Sequence, residues 1–367
     1  MARAIFRTHK KVDFHSHFLS PTYYKYLKEY EDEEPDRFET PQWSLKKHIE
    51  QMDTLGIAFA FISVSSPNLA KAPRETECRM VRRINLEGHS YVKSYPDRLG
   101  LFASLPLPHA SDSIREAVYA HEQLRCDGFG LSTNYGGVYL GDERLDPLMK
   151  YMNSIGAVIA VHPTQAPAEP DRINLSIPIP AMEFMVETTR TFMNMETHGI
   201  FRRYPNIKWI FPHAGAFLPI LSDRINGFAV MLNSKSKTHI NVKDDMKHVY
   251  FDCAGFPLQK QLHALLKDVS INNLLYGSDA PYTPMIGCIA LSGGLESVAG
   301  LSARDKAALF YGNAVKLFPK PKKILHIEKS PTGTHTVNYA ANPPKLKEHA
   351  AELVRAIVSK IYGMIYR

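Results

Sequence analysis

Cysteine is scarce in this chain of 367 residues. The four present, Cys78, Cys126, Cys253 and Cys288, are scattered without a Cys-x-x-Cys pair. No disulfide framework is expected, and reduced thiols in core or surface packing are. Long apolar runs are missing too, so no bilayer span is expected. The basic start, Met1 to Arg7, leads into no signal-peptide core, and the expected location is cytoplasmic. No Gly-rich fingerprint follows the first apolar run, which argues against a doubly wound dinucleotide-binding sheet. Low-complexity tracts and internal repeats are absent as well.

Charge of one sign is also lacking over most of the length. The net charge is +7. Nine Lys/Arg against three Asp/Glu fall in residues 320–367, so the rest is nearly neutral. Without a basic stripe interleaved with aromatics, no nucleic-acid partner is expected. What remains, 44% hydrophobic and 22% charged, is ordinary globular composition.

The apolar pattern alternates short β-branched or aromatic runs with helical stretches. Eight strands are predicted: 12–17, 59–65, 99–105, 128–132, 157–162, 208–213, 249–252 and 273–278. The helical segments that follow them are 44–55, 74–94, 111–124, 144–155, 181–203, 217–232, 258–267 and 303–318. Continuous apolar strands separated by helices imply a covered parallel sheet. Eight such units imply an α/β fold of the (β/α)8 TIM-barrel class over residues 1–319. Insertions at 18–43 and 163–180 follow strands one and five, on the face where barrel sites lie, and are expected to be lids or pocket walls. Residues 320–367 are expected to hold a Lys/Pro-rich linker, a polar loop around Thr332–Pro344 and an amphipathic helix from Lys345 to Tyr366. Leu346, Ala350, Leu353, Ile357 and Ile361 share one face of that helix. It suits packing on the barrel or on a second subunit, hence a homodimer or higher homo-oligomer.

Within this frame, Val12-Asp13-Phe14-His15-Ser16-His17 sets two histidines on one side of a strand end, half of a first-row metal site. His162 closes strand five, His213 strand six and Asp279 strand eight. Polar groups clustered at strand tips stabilise poorly without a metal or solvent. The other histidines lie on helices, loops or the tail without partners at ligand spacing.

These segments, with Val161-His162-Pro163, Pro212-His213-Ala214-Gly215 and Gly277-Ser278-Asp279-Ala280-Pro281, resemble the aminocarboxymuconate-semialdehyde-decarboxylase-like branch of the amidohydrolase superfamily. Val186-Glu187-Thr188-Thr189-Arg190 and Arg202-Arg203-Tyr204-Pro205-Asn206-Ile207 also match, over roughly residues 10–318. Pro41-Gln42-Trp43-Ser44 and Ser132-Thr133-Asn134-Tyr135-Gly136 are similar to the 6-methylsalicylate-decarboxylase-type subgroup. The resemblance implies one divalent metal ion, usually Zn²⁺, held by His15, His17, His162 and Asp279, with His213 as acid/base beside it. Strand four, Gly128 to Asn134, carries no bridging Lys or Glu for a second metal. Three His and one Asp suit Zn²⁺ with an open position, and Mn²⁺ accepts the same set.

The site supports two chemistries on a small-molecule substrate. One is non-oxidative decarboxylation of an aromatic or conjugated carboxylic acid, with Asp279 or His213 delivering a proton. The other is hydrolysis of an ester, lactone or amide by a metal-activated water. A non-catalytic metal-dependent scaffold is the third reading. For the substrate's anionic end the candidates are Arg190 and then Arg74; for flat apolar walls they are Trp43, Tyr135 and Phe184.

Overall fold

The computed structural model describes residues 10–168, 177–234, 239–258, 260–325, 327–329 and 335–337. Eight strands form one sheet: β1 (Lys11–His17), β2 (Ile57–Ser63), β3 (Leu99–Ala103), β4 (Gly128–Ser132), β5 (Val158–His162), β6 (Lys208–Phe211), β7 (Tyr250–Asp252) and β8 (Leu274–Leu275). Sequential neighbours pair in parallel throughout. The ends meet where the Phe14 N–H donates to Tyr276 O at 2.9 Å and the His17 N–H to Ala280 O at 2.7 Å. Buried Asp13 fastens this seam, accepting from the N–H groups of His15 and Ser278 at 3.1 and 3.0 Å. The result is a (β/α)8 barrel, as the alternation predicts.

The strands are buried nearly throughout, because helices cover their outer faces and side chains fill the interior. Phe14, Phe61, Phe102 and Phe318 form a ring cluster, with Phe318 4.4 Å from Phe61 between centroids. That cluster ties the chain beyond the last barrel helix to the first three strands.

Several elements depart from the sequence pattern. The first insertion contains a helix, Pro21–Tyr30, capped by the Ser20 hydroxyl accepting from the Tyr23 N–H. A helix at Met285–Ser297 goes unpredicted, because apolar residues surround it and leave no periodic face to read. The expected 181–203 helix stops at Thr197, Gly199 adopts a left-handed conformation, and one short turn resumes at Ile200–Arg203. The expected 303–318 helix is broken by a π-turn at Ala308–Gly312.

The expected linker is instead a short helix, Pro319–Ile324. The Lys320 ammonium donates to Leu99 O at 3.0 Å, and Leu325 is fully buried, so packing continues past residue 319. Part of the expected polar loop pairs as a small antiparallel ladder, Ile327–Lys329 with His335–Val337. The 345–366 helix lies outside the described residues. Among the described residues no helix is long and apolar enough to cross a membrane.

Candidate metal centre and active-site cavity

The C-terminal ends of β1, β5, β6, β7 and β8 converge at one mouth of the barrel. His15 and His17 leave β1 on the same side, with ring centroids 4.9 Å apart. His162, the last residue of β5, stands 5.2 Å from His15 and 4.8 Å from His17 by the same measure. Asp279 follows β8, and its Oδ1 lies 3.4 Å from Nε2 of both His15 and His17. One ligand atom from each of His15, His17, His162 and Asp279 falls within 4.8 Å of all the others.

The far nitrogens fix how the rings present themselves. His15 Nδ1 lies 2.9 Å from the Asp252 carboxylate. A carboxylate accepts only, so Nδ1 carries the proton and Nε2 offers its lone pair to the cluster. His162 Nδ1 donates to Pro163 O at 2.7 Å, with the same outcome. His17 Nδ1 meets the Ser63 hydroxyl at 3.2 Å. The Nε2 atoms of His15 and His17 are buried without a hydrogen-bond partner; at 3.4 Å the Asp279 oxygen is a contact and no more. Buried lone pairs left unsatisfied are costly. Three imidazole nitrogens and a carboxylate at this spacing fit a divalent ion.

The charge balance points the same way. Burial alone would lower the His15 pKa, but the Asp252 and Asp279 carboxylates hold it well above the usual value. Burial would likewise raise that of Asp279, yet His15 and His17 keep it well below the carboxylate range. Burial, reinforced by neighbouring imidazoles, drives His162 well down and His213 down to about 4. The Asp252 and Asp279 carboxylates thus set a negative field around the imidazoles that a cation held by the cluster would offset.

His213 lies just past β6 in a tight turn, its ring 5.1 Å from that of His15. His213, Ala214, Gly215 and Ala216 all have positive φ, between 50° and 75°. This is uncommon backbone for residues with a Cβ. The turn is held by the His213 N–H donating to Asp252 Oδ1 at 3.1 Å and by the Gln261 amide, which donates to the carbonyls of His213 and Ala216. Gly255, at φ 72°, has no Cβ; one there would come within 2.6 Å of the His213 ring. Asp252 and Gln261 are the residues the sequence reading misses. For Asp252 the signal was available, a carboxylate at the same strand-end position as the histidines.

A cavity of about 500 Å³ opens onto the cluster. His162, His213 and Asp279 reach it, and Phe38, Phe184, Phe256 and Tyr282 give it flat apolar walls. Pro35, Asp36 and Phe38 come from the first insertion and Pro180 from the second, in keeping with their expected place on the site.

Of the expected substrate contacts, only Phe184 lies on this cavity, its ring 5.9 Å from that of His162. Arg190 is half-exposed and pairs with buried Glu187. Arg74 is exposed and pairs with Asp112 at 2.6 Å. Each arginine faces a carboxylate on the outer helices, and neither is on the cavity wall. Trp43 donates from its indole to His48 Nδ1 and packs on Phe18 and Tyr91. Tyr135 is buried, its hydroxyl accepting from the Ser132 N–H at 2.9 Å. Both rings belong to the packed core and not to the cavity lining.

The comparisons with known proteins agree with this arrangement. Decarboxylase yanB of Aspergillus niger is 31% identical over 330 residues, covering 84% of this chain and 88% of its own. The 6-methylsalicylic acid decarboxylase of Penicillium expansum is 30% identical over 323 residues, covering 86% and 98%. The crystal structure of an amidohydrolase II superposes with a TM-score of 0.80 at 37% identity, covering 84% of this chain and 99% of that one. The amidohydrolase family profile spans residues 12–320, from the first barrel strand through the last barrel helix, and the chain therefore belongs to the amidohydrolase family.

Proposed function

We propose that the protein is a metal-dependent, non-oxidative decarboxylase of a small aromatic or conjugated carboxylic acid, of the 6-methylsalicylate or aminocarboxymuconate-semialdehyde type. The observation that carries this reading is one cavity in which the His15, His17, His162 and Asp279 cluster faces flat apolar walls, in a chain that aligns with named decarboxylases along most of both lengths.

His15, His17, His162 and Asp279 would hold one divalent ion, with zinc expected and manganese suited to the same donors. When bound, the ion supplies Lewis acidity and a template for a carboxylate and a neighbouring hydroxyl. Phe184, Phe256 and Tyr282 flank the space above the cluster and suit the faces of a single ring. The described lining holds no lysine or arginine, so the acidic end of the substrate falls to the histidine cluster.

Asp279 and His213 face the same space. Asp279 accepts from the Thr283 hydroxyl at 3.1 Å through Oδ2, which fixes the carboxyl plane. His213, kept neutral by burial, has an unpartnered Nδ1. One of these two groups first takes up a proton from the substrate's neighbouring hydroxyl or from solvent, and then passes it to the carbon bearing the carboxylate. The C–C bond then breaks, its electron pair returns to the ring, and carbon dioxide leaves.

The same ligand set serves hydrolysis of an ester, lactone or amide, and the named relatives favour carbon–carbon cleavage. Incubation of the metal-loaded protein with hydroxybenzoates and conjugated diacids should release carbon dioxide. Turnover of esters or lactones with none of those acids would overturn the assignment. We also propose a cytoplasmic homo-oligomer. The exposed Ile220, Phe228 and Met231 on the helix Leu218–Asn233 favour self-association, and a monomeric mass by light scattering would refute it.

A further inference from the structure

One carboxylate serves two functional side chains. Asp252, buried at the end of β7, accepts the Nδ1–H of His15 through Oδ2 at 2.9 Å. Its Oδ1 accepts the backbone N–H groups of His213 at 3.1 Å and Ala254 at 3.0 Å. The first contact sets which nitrogen of His15 is free, and the second anchors the left-handed turn that presents His213. Gly255, three residues on, leaves room for the His213 ring. β7 contributes no ligand of its own, yet its end braces the products of β1 and β6.

We propose that Asp252 is a positioning residue shared by the metal centre and the acid/base, aligning His15 through its side chain and His213 through its backbone. The role rests on the decarboxylase reading above. It follows from general metal-site chemistry, in which a carboxylate behind a ligating imidazole fixes its tautomer and raises its basicity. Here the same carboxylate also determines where a neighbouring turn lies.

Two substitutions separate the halves of the role. In Asp252→Asn the amide oxygen can still accept from His213 and Ala254, while its NH₂ faces His15 Nδ1. That ring must then accept at Nδ1 and point an N–H at the metal. In Asp252→Ala both halves are lost. Mn²⁺ binding is measured by calorimetry on the full chain, with near-ultraviolet circular dichroism to check the fold. Asp252→Asn should bind Mn²⁺ roughly 10–100-fold more weakly than wild type, with kcat largely recovered at saturating Mn²⁺. Asp252→Ala should lose affinity as well and keep a depressed kcat at saturation, with KM little changed. If Asp252→Ala does not fold, Asp252→Asn decides. A folded Asp252→Asn with wild-type Mn²⁺ affinity overturns the role of Asp252 alone. Wild type that binds no Mn²⁺ and no Zn²⁺ overturns the decarboxylase reading and this role together.

Discussion

His17 Nε2 lies 3.4 Å from Asp279 Oδ1, across the seam where the first barrel strand meets the last. Both atoms are brought there by the closure of the barrel, and the His17 nitrogen has no hydrogen-bond partner. This pair, with His15 and His162, gives the first prediction. Chelation should abolish turnover, and Zn²⁺ or Mn²⁺ should restore it. His17→Ala and His162→Ala should each lower bound metal, read by elemental analysis of the purified protein. Full stoichiometry in both variants would exclude the proposed ligand set.

Asp279 has two tasks in the proposed scheme, ligand and proton carrier. Asp279→Asn keeps the size of the side chain but loses the charge. It should bind metal more weakly and show no measurable turnover even when metal is added in excess. Wild-type activity and metal content would remove Asp279 from the mechanism.

His213 stands outside the four-residue cluster but on the cavity. His213→Ala should retain most of the metal and lose about 10²–10⁴ in kcat, the usual range for a positioned acid or base. Loss of the metal instead would make His213 a ligand.

Phe184 is the one expected aromatic wall that the structure sets on the cavity. Truncation removes a face from the ring-sized space. Phe184→Ala should raise KM for the preferred acid roughly 10–100-fold, with metal content unchanged. Steady-state kinetics over acids of different ring substituents would read the change, and an unaltered profile would place the substrate elsewhere.

Glu77 yields a pH-dependent prediction away from the site. It lies in the first turn of the helix Arg74–Ser94 and is almost fully buried. Burial, helped by the charge of Asp112, pushes its pKa up to about 8. The folded state therefore holds a proton that the unfolded chain releases near the ordinary glutamate value. Stability from this group is fully present below that value and is lost as pH rises towards 8. Glu77→Gln should show a smaller fall in Tm between pH 6 and pH 9 than wild type; equal falls would assign the pH dependence to other groups.

The β/α alternation was legible because barrel strands covered on one face and packed on the other read as short apolar runs with helices between them. Period-two geometry correctly placed His15 and His17 together, even though the β1 pairing shifts register between Asp13 and Ser16. The helix Met285–Ser297 was not legible, since an element apolar all round shows no preferred face. Asp252 escaped for a different reason. It shares the strand-end position of the histidines, but its role behind His15 shows only once that histidine is brought from the opposite end of the chain.

The two arginines mark the division most clearly. Charge and position in the sequence made Arg190 and Arg74 reasonable partners for an anion, but tertiary packing gave each a nearer carboxylate, Glu187 and Asp112. The residue order by itself determined the barrel and the residue types proposed as ligands at the strand ends, because both depend on local periodicity and side-chain chemistry. Only the closed barrel decided which groups share a cavity, which nitrogen of each imidazole is free, and that the Asp252 carboxylate stands behind both His15 and His213, because these depend on distances between strands that the sequence keeps far apart.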